Sequence, residues 1–412
     1  MRFTPGRASL DPITVLFLIS SVILLGFIAS ILFRETGLPD TLFLILLGLL
    51  FGPMFHLLPQ ESLKELAEPI GAIAIALILF DGGLGLNLRT VLKESPKALI
   101  LAIFWFILNT LAVAAVAVYW LKMPGELALY LGASLGGVSS AVVMGVAKRV
   151  SVDEETRTRL VIESVVSDVM CIVVAISVLD FILTREVETK AVITMIVTKS
   201  FTGLVIGALI GAFWLLMLKR LHLALKEVEY EYIATIGLAL LAYIAAEFND
   251  ASGGIATLAF GLVMSNRWVL EPVLELSRYE FLYEKIMNFL SKFSGEVSFF
   301  IRSFFFSYIG MFYVFTDIQS VLIGLVVALV ALATRAIAAL PVTRDKKEFY
   351  MPVVAICGKG LAAAVLIQLP SVNGMEFGDV IFNVGVNAII FSLLITTVAT
   401  YYYERKHKKL VP

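Results

Sequence analysis

The chain has 412 residues, 59% of them hydrophobic and 16% charged, with a mean hydropathy of +0.94. A soluble chain carries roughly a quarter charged residues and breaks its apolar runs every few positions, so this composition implies an all-α polytopic membrane protein. A formal net charge of −1 supplies no basic stripe to displace counterions from phosphates, which excludes a nucleic-acid partner.

A bilayer core of about 30 Å takes about 20 apolar residues per helix. On that ruler thirteen spans are predicted: 12–33, 39–57, 66–86, 97–121, 125–147, 156–184, 192–218, 229–247, 252–269, 295–315, 317–343, 350–369 and 379–403. The first run is longer than the apolar region of a secretion signal and lacks a small-residue cleavage site, so it is read as a span. Placing the C-terminal tail, 404–412, in the cytoplasm puts 22 Lys and Arg in cytoplasmic segments against six outside. The N-terminus is then outside, with Arg2 and Arg7 pulling the other way. Residues 270–292 combine mixed charge with apolar spacing and read as an amphipathic connector at the cytoplasmic surface.

Thirteen spans divide as six, one and six: a first repeat over 12–184, a linking helix at 192–218 and a second repeat over 229–403. The two repeats then have opposite topology, as in carriers whose sites lie at mid-membrane on interrupted helices. The fifth span, LYLGASLGGVSSAVV, clusters Gly132, Gly136, Gly137, Ser139 and Ser140, and the twelfth, PVVAICGKGLAAAV, sets Gly358 and Gly360 around Lys359. Clustered glycines weaken a helix interior and let its backbone turn toward a cavity, so both spans are expected to be broken.

Ionisable residues deep in the spans are Asp81, Glu163, Asp168, Arg335 and Lys359. Inserting such a group costs roughly 2.5–3.5 kcal/mol, which makes function its default reading, with helix-fixing ion pairs the other. On a helix, Ser164 and Asp168 share a face, while Glu163 and Asp168, five apart, are about 140° from each other around the axis. A division of labour follows: one acid is neutralised by Arg335 or Lys359, and the other serves a polar cavity. Ser164, Ser139 and Ser140 supply hydroxyl oxygens for a small hard cation beside Asp168. A lone mid-membrane carboxylate holds a proton or a monovalent cation but not both, which is the basis of electroneutral exchange. The acids have no neighbouring His, Cys or metal-ligand spacing, so neither an enzyme nor a cofactor is expected, and Cys171 and Cys357 read as small core residues.

At these residues the sequence resembles the cation/proton antiporter superfamily, nearest to NhaP-type sodium/proton exchangers. The likeness rests on ILFDGGLGLNL (78–88), ESVVSD (163–168), Ala-Thr-Arg (333–335) and Cys-Gly-Lys-Gly (357–360). It implies an inverted-repeat fold with broken, crossing helices, a homodimer and an elevator-like core of 97–184 plus 317–403 against a dimerisation part of 12–86 plus 192–315. By position it implies Asp168 as the alternating cation and proton carrier, Ser164 as a ligand, Lys359 as the partner of Glu163, and Asp81 in the cytoplasmic funnel. The family's Asn before the aspartate is Ser167 here, and its Thr-Asp-Pro is Val138, Ser139 and Ser140, similar to the Kef-type potassium branch. Losing that second carboxylate lowers the field at the site and leans toward potassium or poor discrimination, with sodium close behind. The expected function is exchange of K⁺ or Na⁺ for H⁺ in the cell membrane. A proton-coupled carrier of an anionic solute, with Lys359 or Arg335 as counter-charge, and a gated cation channel are the competing classes.

Overall fold

The computed structural model describes residues 16, 20–29, 31, 40–54, 60–86, 96–139, 142–143, 154–184, 189–225, 231–266, 280–313, 317–344, 347 and 350–408. Among them every regular element is helical, as apolar segments in lipid require, because a helix satisfies its backbone donors and acceptors within itself. The first half contains α1 (Ser20–Ala29), α2 (Asp40–Leu49, continued by a π-turn over Leu50–Met54) and α3 (Gln60–Gly85). It continues with α4 (Pro96–Leu121), α5 (Gly125–Ser134) and α6 (Glu154–Thr184). Next come α7 (Thr189–Leu225), α8 (Glu231–Glu247), α9 (Gly253–Ser265) and α10 (Glu280–Phe312). The chain ends with α11 (Ile318–Val342), α12 (Tyr350–Ala355), α13 (Leu361–Leu366), α14 (Leu369–Val372) and α15 (Gly378–Lys408).

Five of the described helices are long and apolar enough to cross a membrane unaided: those at 96–121, 155–183, 198–221, 318–342 and 378–405. Shorter apolar helices include Gly71–Gly85, Gly253–Ser265 and Leu361–Val372. The chain is a multi-pass membrane protein. One expectation is corrected: α10 runs without interruption from Glu280 to Phe312, so residues 280–292 continue into the span instead of forming a separate surface helix. Residues 270–279 lie outside the described ones.

The helices pack as two groups. In one, α4 is in contact with α5, α6 and α11, α5 with α6, and α15 with α11 and α12. In the other, α9 lies against α3, α7 and α8, while α10 packs on α2, where Arg302 and Asp40 form an ion pair at 3.2 Å. Contacts of α3 with α6, α13 and α14 join the groups.

Both glycine-rich spans are broken, as their composition predicts. The fifth stops at Ser134, passes through a non-helical stretch to Ser139 and is helical again at Val142 and Val143. The twelfth consists of six residues of α12, a non-helical stretch from Ile356 to Gly360 and six residues of α13.

The start of α11 shows how local chemistry fixes a boundary. Asp317 caps it, one carboxylate oxygen accepting the Ser320 amide at 3.2 Å and the other the Ser320 hydroxyl. The Ser320 hydroxyl, more than the backbone amides, holds the Asp317 carboxyl below the usual carboxylate range. A folded value below the unfolded one means that the stabilisation is present above the unfolded value and is lost as pH falls through the folded one. Asp317→Ala is therefore expected to cost about 1 kcal/mol at neutral pH, the usual worth of such a cap. The gap in unfolding midpoint between wild type and variant should close on acidification below about pH 3.9; a gap independent of pH would exclude the carboxylate as its source.

A candidate ion site at two crossed helix breaks

The two breaks meet each other. The Ser139 amide donates to the Gly358 carbonyl at 2.9 Å, so the unwound parts of the fifth and twelfth spans are joined through their backbones. The approach requires glycine at 360: a Cβ there would lie 2.6 Å from the Cβ of Ser139. Gly137 is equally confined, since its Cβ would stand 2.7 Å from Cys171 Sγ and 3.0 Å from the Ser167 carbonyl oxygen.

Unwinding a helix leaves carbonyls and amides without intrahelical partners, and side chains from neighbouring helices take them up. Asn109 Nδ2 on α4 donates to the Leu135 carbonyl at 2.7 Å. Lys359 Nζ donates to the Gly137 carbonyl at 3.1 Å, and the Val138 amide donates to Ser167 Oγ at 3.2 Å. On the other break, the Lys359 amide donates to Ser392 Oγ at 3.1 Å and the Cys357 amide to Thr396 Oγ1 at 3.2 Å. Ser139, Ser164, Ser167 and Lys359 are all buried.

Glu163 is fully buried and bound by the fully buried Arg335, Nη2 donating to Oε2 at 2.8 Å and Nη1 to the other oxygen. Arg335 Nε completes the clamp on the Val353 carbonyl at 3.0 Å. This corrects the assignment that the family resemblance implies for Lys359. A guanidinium presents parallel donors that match both carboxylate oxygens, whereas an ammonium is a point donor, and here it is committed to Gly137. Among the described residues no carboxylate lies within ion-pair distance of Lys359.

Asp168 is one residue beyond Ser167, on the same helix as Glu163, and it keeps part of its surface accessible where Glu163 keeps none. Its neighbour Ser167 accepts from the Val138 amide, and Cys171, one turn further along α6, abuts Gly137, so this stretch of α6 lies beside the crossing. Asp81, in the last turn of α3, is also partly accessible, and Ser140 lies outside the described residues.

Trp105 and Asn109, neither of them singled out by the deep charges, are among the residues of α4 that contact this centre. The Trp105 ring, fully buried, has the Arg335 guanidinium carbon and Lys359 Nζ each 4.5 Å from its centroid. Its Nε1 donates toward Thr334 Oγ1 at 3.3 Å and the Ala331 carbonyl at 3.4 Å, and Thr334 Oγ1 is 3.2 Å from Asn109 Oδ1. The signal available beforehand was polarity: Asn109 and Thr110 interrupt an otherwise apolar run, and Asn109 lies one helical turn from Trp105.

The model of the family described as sodium/hydrogen exchanger, transmembrane, matches residues 20–401. The chain is 25% identical over 300 residues to a probable Na(+)/H(+) antiporter 2 of Methanocaldococcus jannaschii, covering 69% of this chain and 66% of that protein. It is 26% identical over 262 residues to a K(+)/H(+) antiporter, NhaP2, of a Shewanella species, covering 62% of this chain and 45% of that one. The chain thus spans between about half and two thirds of the curated relatives it matches. In fold it is similar to the sodium proton antiporter MjNhaP1 of M. jannaschii, with a TM-score of 0.75 at 19% identity over 95% of this chain and 99% of the other.

Proposed function

Because the chain belongs to the sodium/hydrogen exchanger family, we propose that it is a secondary antiporter exchanging K⁺ or Na⁺ for H⁺, with cation and proton competing for Asp168. The observation that carries this reading is the unequal standing of the two acids of ESVVSD. Glu163 is sealed and neutralised by Arg335, while Asp168 keeps accessible surface beside the crossed breaks. A carboxylate that accepts either a proton or a monovalent cation leaves the site neutral in both loaded states, so exchange carries no net charge. Ser164, Ser167, Ser139 and Ser140, with the backbone at Val138, are the oxygens we assign to the cation. Alternating access follows if the group containing α4–α6 and α11–α15 moves against the other as an elevator, within a homodimer whose C-terminus is cytoplasmic. Asp81 then lines the cytoplasmic funnel.

The relatives named for Na⁺ and for K⁺ differ in cation, and the chain carries Ser139 where the sodium motif has a carboxylate. An anion carrier is disfavoured by geometry, because Arg335 and Lys359 are buried and engaged with Glu163 and Gly137. The test is proton movement in proteoliposomes driven by Na⁺, K⁺ or Li⁺ gradients across several pH values. Exchange with at least one cation, at a rate independent of an imposed membrane potential, is expected; no proton movement with any of the three sinks the reading. In the same assay Ser139→Asp should shift preference several-fold toward Na⁺, because the added carboxylate raises the field at the site. Unchanged selectivity would mean that Ser139 does not face the ion.

A further inference from the structure

Two positive side chains stand against one buried indole, and among the described residues ion pairing accounts for only one of them. Arg335 has Glu163. Lys359, 1% exposed, has for its ammonium the Gly137 carbonyl and the face of Trp105. Burying an ammonium with a single carbonyl acceptor is costly unless a further group compensates, and the negative face of an indole does so most strongly where water is absent. The ring is itself immobilised, because Nε1 is held by Ala331 and Thr334 of α11.

We propose that Trp105 is a positioning residue for ion binding: its fixed ring holds the Lys359 ammonium on the Gly137 carbonyl, which sets the backbone of the broken fifth span beside Asp168. The inference rests on the antiporter reading. Gly137 is followed by Val138 and Ser139, whose amides donate to Ser167 Oγ and the Gly358 carbonyl. A lysine released from the ring lets Gly137 turn, and the turn is passed on through those two bonds to the ligands of the cation. Trp105 touches neither ion nor proton in this scheme and acts only through Lys359.

The test is cation-dependent exchange by Trp105→Phe, Trp105→Leu, Trp105→Met and Lys359→Met in proteoliposomes, with turnover and the apparent KM for the cation measured separately. Phenylalanine keeps a π-face but loses the Nε1 bonds that fix the ring, so its KM should rise slightly, within about threefold of wild type, while leucine and methionine should raise KM about thirtyfold, the scale of one desolvated cation–π contact. A purely space-filling role would lower the amount of active protein and leave KM unchanged, and that result overturns the proposal. In a Lys359→Met background, removing the ring should raise KM no further; multiplicative effects would show that Trp105 acts elsewhere. The same four-corner comparison read as unfolding midpoints in detergent does not depend on exchange. There coupling between Trp105 and Lys359 supports the contact and additivity refutes it, even for a wild type that moves no protons and so fails the antiporter reading on its own.

Discussion

Replacing Asp168 by Asn is expected to abolish exchange with every alkali cation, bringing proton movement in proteoliposomes to the level of protein-free vesicles. The amide is the same size as the carboxylate, so it fits the space beside Ser167. It can neither carry the negative charge that the proposed mechanism uses to hold a cation nor take up the proton proposed to replace it. Because Asp168 keeps part of its surface accessible, the substitution should leave the unfolding midpoint in detergent close to wild type. Asp168→Glu should retain measurable exchange with altered cation affinity, since the charge survives and its reach changes. Full activity in Asp168→Asn would remove Asp168 from the mechanism. Loss of activity together with collapse of the fold would instead identify it as structural.

The second large effect is on stability. Arg335→Met leaves Glu163 fully buried without the guanidinium that neutralises it and should destabilise the protein by about 3–5 kcal/mol. Glu163→Gln/Arg335→Met removes both charges and should recover much of that loss, because an uncharged pair of similar volume carries no desolvation debt. Arg335→Lys falls between, losing the second carboxylate contact and the Nε bond to Val353. Unfolding midpoints of the four corners in detergent provide the measurement, read as an order of stabilities because unfolding of such proteins is often irreversible. A single variant as stable as wild type, or a double variant less stable than both singles, would contradict this account.

Much of the fold was legible because its signals are local. Apolar run length marks the spans, and the glycines at 132–137 and 358–360 mark both breaks, since helix weakness is written in the residues of the helix itself. That Glu163 and Asp168 stand in different surroundings, one fully buried and the other partly accessible, was legible from their angular separation on one helix. The identity of the partner base was not. Arg335 and Lys359 are both cations of the second half, and choosing between them requires knowing how α11 and the broken twelfth span cross α6. Trp105 was illegible for a related reason. A tryptophan in an apolar run reads as lipid-facing or core, and its two cations arrive from elements more than 200 residues away in sequence. At residues 280–292 charge suggested a surface helix, yet helical hydrogen bonding runs on into the span, because composition sets where a helix meets water and not where it starts.

The bond between Glu163 and Arg335 also has a history in time. The two residues are 172 positions apart, and a ribosome adding roughly 5–20 residues per second needs about 9–34 seconds to cover that distance. During that interval α6 is in the bilayer while Arg335 does not yet exist. An 18-residue window within its residues 155–183 reaches a mean hydropathy of 2.4, apolar enough to cross a membrane despite the charges it carries. Until Arg335 is made, the acid of α6 has no guanidinium to neutralise it, so a chain ending before residue 335 should be less stable than the full chain.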